Sequence, residues 1–291
     1  MDRITFIQYL IAQFVLWSLA HSPFGLALFC AKVLDLAVPR LRRTARRNLE
    51  LAYPEKAAFE REAIIDEVFR SIARLLYAFA RFPQINRQNV SDWIRYEGLE
   101  HYLEAKEAGR GILVATAHFG NWELSAFAHA LMTEPMHVMI RPLDNPAIDQ
   151  LVEQRRQLSG NQLISKRDAA RAVLRALQEN QAVGILIDQN TSLDEGVFVD
   201  FFGTPACANT GFVKIAAHTG AIVIPGFAIW SEAEHRYVLR FYPPVPITGD
   251  VAEDTQGLHR KLEEVIREHP GQWLWIHRRW KTRPPGEAPL Y

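Results

Sequence analysis

Short, mostly apolar runs separated by stretches of helical spacing constrain this chain more than any other feature. GILVAT (111–116), MHVMI (136–140) and AVGILID (182–188) are too short for core helices and lack the alternation of a half-exposed strand. Each reads as a strand covered on both faces. Helical patterns occupy 99–108, the stretch from Trp122 to about Met132, 146–158, 166–179, 209–219 and about 254–268. Two further strands are expected at 221–230 and 235–242. Repeated alternation of this kind predicts an α/β fold with a largely parallel central sheet flanked by helices. Ahead of it, residues 60–80 place Ile64, Ile65, Val68, Ile72, Leu75, Leu76 and Phe79 on one helical face.

Composition narrows the function. The 291 residues carry 33 Lys and Arg against 33 Asp and Glu, so bulk electrostatic binding of nucleic acid is not expected. Two cysteines, Cys30 and Cys207, exclude a disulfide framework and a cysteine-rich zinc module. The ten histidines show no H-E-x-x-H and no ligand spacing, so no metal site is expected. Neither G-x-G-x-x-G nor G-x-x-x-x-G-K-[ST] is present, and no cofactor is called for.

The N-terminus is unusual in its charge placement. Residues 4–31 contain no Asp, Glu, Lys or Arg. A bilayer span needs about 20 apolar residues, and Gln8, Gln13 and the Ser22-Pro23 break interrupt this one. The expectation is an N-terminal hydrophobic helical anchor over 1–38 that spans or lies on a membrane, followed by a catalytic domain over 39–291. Arg40, Arg42, Arg43, Arg46 and Arg47 follow it and would hold the domain on the cytoplasmic side or touch anionic headgroups. A buried helical hairpin is the alternative.

The chemistry concentrates at strand ends, where parallel sheets gather their sites. Ala117-His118-Phe119-Gly120-Asn121-Trp122-Glu123 follows one strand and opens a helix. On a regular helix His118 and Glu123 would sit about 140° apart. Gly120 can bend the backbone and Asn121 can cap the helix, so that a turn brings the two side chains together. A carboxylate beside an imidazole fixes one ring nitrogen and leaves the other as a base. Arg141 and the Asp188-Gln189 pair follow two other strands. Phe198, Phe201 and Phe202 read either as the wall of an apolar ligand slot or as core. Basic residues near the C-terminus (Arg267, Arg278, Arg279, Lys281, Arg283) suit an anionic partner, and Trp273, Trp275 and Trp280 suit a core or a membrane interface.

Seven segments in order carry a resemblance: RRTARRNLELAYPE (42–55), GILVATAHFGNWE (111–123), RPLDNPAID (141–149), GILIDQN (184–190), VFVDFFGTPACANTG (197–211), AIVIPGF (221–227) and WLWIHRRWKTRP (273–284). The chain resembles the late lauroyl/myristoyl acyltransferases of lipid A biosynthesis, within the lysophospholipid-acyltransferase-like superfamily. Asp200 departs from the pattern, where many members have proline. The resemblance implies a catalytic His-x4-Glu pair at His118 and Glu123, and an active site lined by Arg141 and Asp188. It also implies an acyl carrier protein thioester as donor, a glycolipid hydroxyl as acceptor and an inner-membrane location facing the cytoplasm. Asn121, Gln189, Phe198, Phe201 and Phe202 are the remaining expected substrate contacts. Related enzymes act on phosphoinositide mannosides, so another lipid acceptor stays open, as does a non-catalytic lipid-binding scaffold.

Overall fold

The computed structural model describes residues 3–165 and 169–291. The first residues of the helix expected over 166–179 lie outside the described residues. Strands β1 (Ile94–Glu97), β2 (Ile112–Thr116), β3 (His137–Ile140), β4 (Gln162–Ser165), β5 (Ala182–Leu186), β8 (Ile222–Ser231) and β9 (Arg236–Phe241) form one sheet in the order β1-β9-β8-β2-β5-β3-β4. The stretch from β8 through β4 is parallel. The direction reverses once, because β8 and β9 are a hairpin, and β1 then pairs parallel to β9. The sheet is therefore mostly parallel, as the alternation requires. Helices α5 (Leu99–Glu107), α6 (Trp122–Met132), α7 (Pro146–Gln157), α8 (Ala169–Gln178), α9 (Gly211–Thr219) and α10 (Val251–Glu268) flank it.

The buried strands pack by face. Ile112 and Val114 of β2 face α5 and α6, with Phe127, Leu239 and Phe241 around them. Leu113 and Ala115 face the other way, onto α8 and α9 through Val173, Leu177, Phe212 and Val213. A strand sandwiched in this way has no polar face to show, which is why its sequence does not alternate.

Outside the main sheet, β6 (Gly196–Phe201) and β7 (Thr204–Asn209) form an antiparallel hairpin. Its two-residue turn has positive φ at both Phe202 (55°) and Gly203 (71°), the backbone a tight hairpin needs. Phe201 and Phe202 pack into a cluster with Tyr53, Trp273, Trp275 and Trp280. The hairpin is thus core, and the three tryptophans are buried there rather than placed at a membrane interface.

The N-terminal segment breaks at Ser22-Pro23 into α1 (Arg3–His21) and α2 (Phe24–Ala37). No described helix is long and apolar enough to cross a membrane, so the expected spanning anchor is not what forms. Instead both helices pack on α4 (Ala58–Ala80), through Leu19, Ala27 and Ala31 against Ala73 and Ala80. Arg81 donates to the carbonyls of Leu19 and Ser22, both at 2.6 Å, and so ties off the end of α1. The other faces stay uncovered: Phe6, Ile7, Leu10, Ile11, Phe14 and Trp17 of α1, and Phe29, Val33 and Leu36 of α2, are exposed.

Much of the basic run is committed within the fold. It lies on α3 (Pro39–Ala52), where Arg42 reaches Asp35 (2.8 Å), Glu62 (2.8 Å) and Asp66 (2.5 Å). Arg46 pairs with Glu62 at 2.5 Å and Arg47 with Glu50 at 3.3 Å. Near the other end of the chain Arg279 is fully buried, Arg267 pairs with Glu263 and Arg283 with Glu287. Self-neutralised charges of this kind have little reach toward a partner.

Phe201→Ala should lower stability by about 3–5 kcal/mol, the usual cost of emptying a buried aromatic site. A denaturation midpoint measured in urea checks it.

Candidate active site

Sheet register brings the first two residues together. In the β2–β5 pair Thr116 stands opposite Leu186. Two residues further on, still in step, come His118 and Asp188. Neighbouring strands lie about 4.8 Å apart, within side-chain reach. His118 Nδ1 meets Asp188 Oδ1 at 2.9 Å, and the His118 backbone N–H donates to Asp188 Oδ2 at 3.0 Å. The Trp273 indole N–H donates to the same Oδ2 at 2.9 Å. Asp188 itself is 3% exposed.

Burial alone would disfavour charge on both groups, but their attraction and these hydrogen bonds outweigh it. The Asp188 carboxyl is held below the usual carboxylate range, and His118 keeps its proton to higher pH than a free histidine. With Nδ1 assigned as the donor to the carboxylate, Nε2 is the ring's open nitrogen. The Gln189 side-chain amide lies 3.4 Å from it.

A tight turn follows. Gly120 has φ +55°, and a Cβ there would stand 1.8 Å from the Ala228 carbonyl oxygen, so only glycine fits. The Gly120 N–H donates to Gln272 O at 2.7 Å and the Asn121 N–H to Ala228 O at 3.2 Å. Asn121 Oδ1 accepts from Leu124 N at 3.0 Å and starts α6. Glu123 then sits in the first helical turn. Its carboxylate does not meet His118. It receives two parallel bonds from Arg156 of α7, at 2.8 and 2.6 Å, and one from the Trp122 indole at 3.2 Å. Paired guanidinium–carboxylate contacts of this form are strong and directional.

These groups rim a cavity of about 640 Å³ between the sheet and α6. His118, Trp122, Glu123, Arg141, Arg156 and Gln189 stand at its polar part. Its remaining lining is mostly apolar and crosses five adjacent strands, from Val138 on β3 to Leu239 and Phe241 on β9. A histidine with one tethered ring nitrogen, lining a mostly apolar cavity, suits chemistry on the head of a lipid-like chain.

The model of one family, described as bacterial lipid A biosynthesis acyltransferase, matches residues 3–282. The chain belongs to this acyltransferase family. The lipid A biosynthesis palmitoleoyltransferase of Escherichia coli (strain K12) is 30% identical over 95% of this chain and 92% of its own. The lauroyltransferase of lipid A biosynthesis from the same strain is likewise 30% identical, over 95% and 92%. The corresponding myristoyltransferase is 25% identical over 92% and 87%.

Within this acyltransferase, the expected residues divide. His118, Glu123, Arg141 and Gln189 line the cavity. Asp188 lies behind His118, buried and bonded to it, where the spacing had suggested Glu123 would act as the orienter. Asn121 is fully buried and serves as the α6 cap, not as cavity wall. Phe198, Phe201 and Phe202 do not line the cavity: all three lie on the β6–β7 hairpin, which turns Phe201 and Phe202 into the tryptophan cluster. The backbone N–H groups of Gly120 and Asn121 are already spent on Gln272 and Ala228.

Three contributors were not anticipated. Arg156 had only its place in a helical pattern as signal. Trp273 was visible as an aromatic, without its partner. His277 accepts from the Asn190 N–H at 3.1 Å and steadies the loop after Asp188, and burial pushes its pKa down to about 4.

The His118–Asp188 pair stabilises the fold between two limits. Its contribution fades as pH rises through the elevated His118 pKa and as pH falls through the depressed Asp188 pKa. Proton NMR should show His118 titrating above about 6.5, the free value. Asp188→Asn should bring that titration down, and an unchanged midpoint would contradict the pairing.

Proposed function

We propose that the protein transfers a fatty acyl chain from an acyl carrier protein thioester to a hydroxyl of a lipid A precursor, with His118 as general base. The observation that carries this is the anchored imidazole. Its Nδ1 is tied to buried Asp188, and it lines an apolar cavity long enough for an acyl chain. Membership of the acyltransferase family supplies the reaction class, and the relatives' names supply the acceptor.

The step follows from the geometry. His118 Nε2 takes the proton of the acceptor hydroxyl as its oxygen attacks the thioester carbonyl carbon. The Asp188 carboxylate stabilises the imidazolium that forms. Collapse of the tetrahedral intermediate breaks the C–S bond. The leaving thiolate takes the proton back, giving ester and free thiol. No residue of the protein is acylated.

Glu123 has a different part from Asp188. It fixes the Arg156 guanidinium through Nε and Nη2, and thereby sets a cation beside the reacting carbonyl. That cation and Arg141 are the groups available to the developing oxyanion. Glu123 raises and Arg156 lowers the proton affinity of His118, each less than Asp188 raises it, so the base is tuned mainly by Asp188.

Lipid substrates arrive from a membrane, and the uncovered apolar faces of α1 and α2 supply the contact. With Trp17 and the phenylalanines outward, the pair suits a helix hairpin lying in the interface rather than crossing it. Gln8 of α1 accepts from the Asn145 side chain at 2.6 Å, beside the cavity-rim residues 141–144. The membrane face and the cavity mouth are therefore neighbours.

His118→Ala should reduce transfer by about 10²–10⁴-fold with the fold intact, in an assay with acyl carrier protein thioesters and a lipid A precursor. Retained turnover would refute the general-base role. In wild type, kcat/KM should rise with pH through the elevated His118 pKa, because the neutral ring is the active form. A second experiment concerns the membrane. Phe14→Glu with Leu36→Glu should abolish flotation with phospholipid vesicles and leave circular dichroism unchanged; unaltered flotation would remove α1 and α2 as the contact.

A further inference from the structure

Two glycines occupy positions whose backbone does not call for glycine. Gly184 in β5 and Gly226 in β8 are regular strand residues, and neither has positive φ. Glycine inside a strand sacrifices conformational entropy and packs nothing, so its use there points to a close approach from above. Both lie on the sheet face under the cavity, on either side of β2. Gly184 is in register with Val114. Gly226 follows Pro225, which pairs with Ala115, and it stands directly opposite Phe241.

The space over each is already taken by a cavity-lining side chain. A Cβ on Gly184 would stand 2.9 Å from Met136 Cε. On Gly226 it would stand 3.0 Å from Cδ1 and Cε1 of Phe241 and 3.3 Å from Val114 Cγ1. All five residues line the cavity. A methyl group on Gly184 must therefore displace the end of Met136, and one on Gly226 must push Phe241 aside by a few tenths of an ångström. Phe241 is backed by the rings of Tyr96, Tyr102 and His129, with centroids 6.0, 5.4 and 5.7 Å away. Its way out is into the cavity. Met136 is unbranched and can bend aside more easily.

We propose that Gly184 and Gly226 set the depth of the acyl slot and that, with Met136 and Phe241 folded flat over them, they determine which acyl chain lengths are accepted. This assignment rests on the reading of the cavity as an acyl site. It replaces Phe198, Phe201 and Phe202, none of which lines the cavity. Gly226 is the stricter of the pair, because an aromatic ring has fewer ways to yield than a methionine.

The test reads binding apart from catalysis. Saturated fatty acids from eight to eighteen carbons displace a fluorescent fatty acid from wild type, Gly184→Ala, Gly226→Ala, Met136→Ala and the double variant Gly226→Ala with Phe241→Leu. Gly226→Ala should move the optimum to shorter chains, with affinity falling about fourfold for each methylene that no longer fits and short chains bound as in wild type. Gly184→Ala should move it less. Met136→Ala should move it to longer chains. The double variant should return toward wild type, which a merely damaged fold would not do. An identical length profile in wild type, Gly226→Ala and Met136→Ala would overturn the assignment. If Gly226→Ala fails to fold, Met136→Ala and the double variant decide it by the same criterion. Parallel transfer assays separate the two readings. Shifted binding without any transfer by wild type would keep the slot and dismiss the reaction, and transfer with an unshifted profile would do the reverse.

Discussion

One buried carboxylate organises the site. Asp188 lies where an isolated charge would cost several kcal/mol, so it exists as an anion only while donors surround it. There are three such donors, from two places in the chain: the His118 backbone, the His118 ring and the Trp273 indole. Satisfying the carboxylate therefore fixes the turn after β2, the tautomer of the imidazole and the course of the segment beyond α10. Each would otherwise have freedom, and each bears on how the imidazole is presented to the cavity.

The second carboxylate shows how chain position alone misleads. Glu123 is five residues from His118 and in the same pocket, yet the α6 cap directs it across to α7. A residue on a neighbouring strand, seventy positions away, is the closer chemical partner. The result is two charge pairs with separate duties: His118 with Asp188 governs proton affinity, and Glu123 with Arg156 fixes a cation. Keeping them apart prevents the guanidinium from competing for the carboxylate that holds the imidazole.

Elements whose cause is local were legible in the sequence. The buried strands β2, β5 and β8 announced themselves by unbroken apolar runs, and the turn at Gly120 and the Asn121 cap by residue type. His118, Arg141 and Asp188 were placed at strand ends correctly, because alternation fixes where strands end. What remained hidden depends on register and packing. The short strands β1 (IRYE) and β4 (QLIS) mix polar residues into their runs and so do not stand out from their surroundings. The side to which the β6–β7 hairpin turns Phe201 and Phe202 is decided by the tryptophans they meet, more than seventy residues later. Arg156 is one arginine among many on amphipathic helices, and only the meeting of α6 and α7 gives it a role. The charge-free N-terminus was legible as apolar, with a hairpin as the alternative to an anchor, but not as a hairpin with only one face covered.

Trp273 lies beyond all nine strands in the order of synthesis. A growing chain that has already completed its sheet still lacks the indole that holds Asp188 and the His277 ring that steadies the next loop. In the order of synthesis, the groups that hold the Asp188 carboxylate and the loop after it therefore come last, on the segment after α10 that folds back across the strand ends.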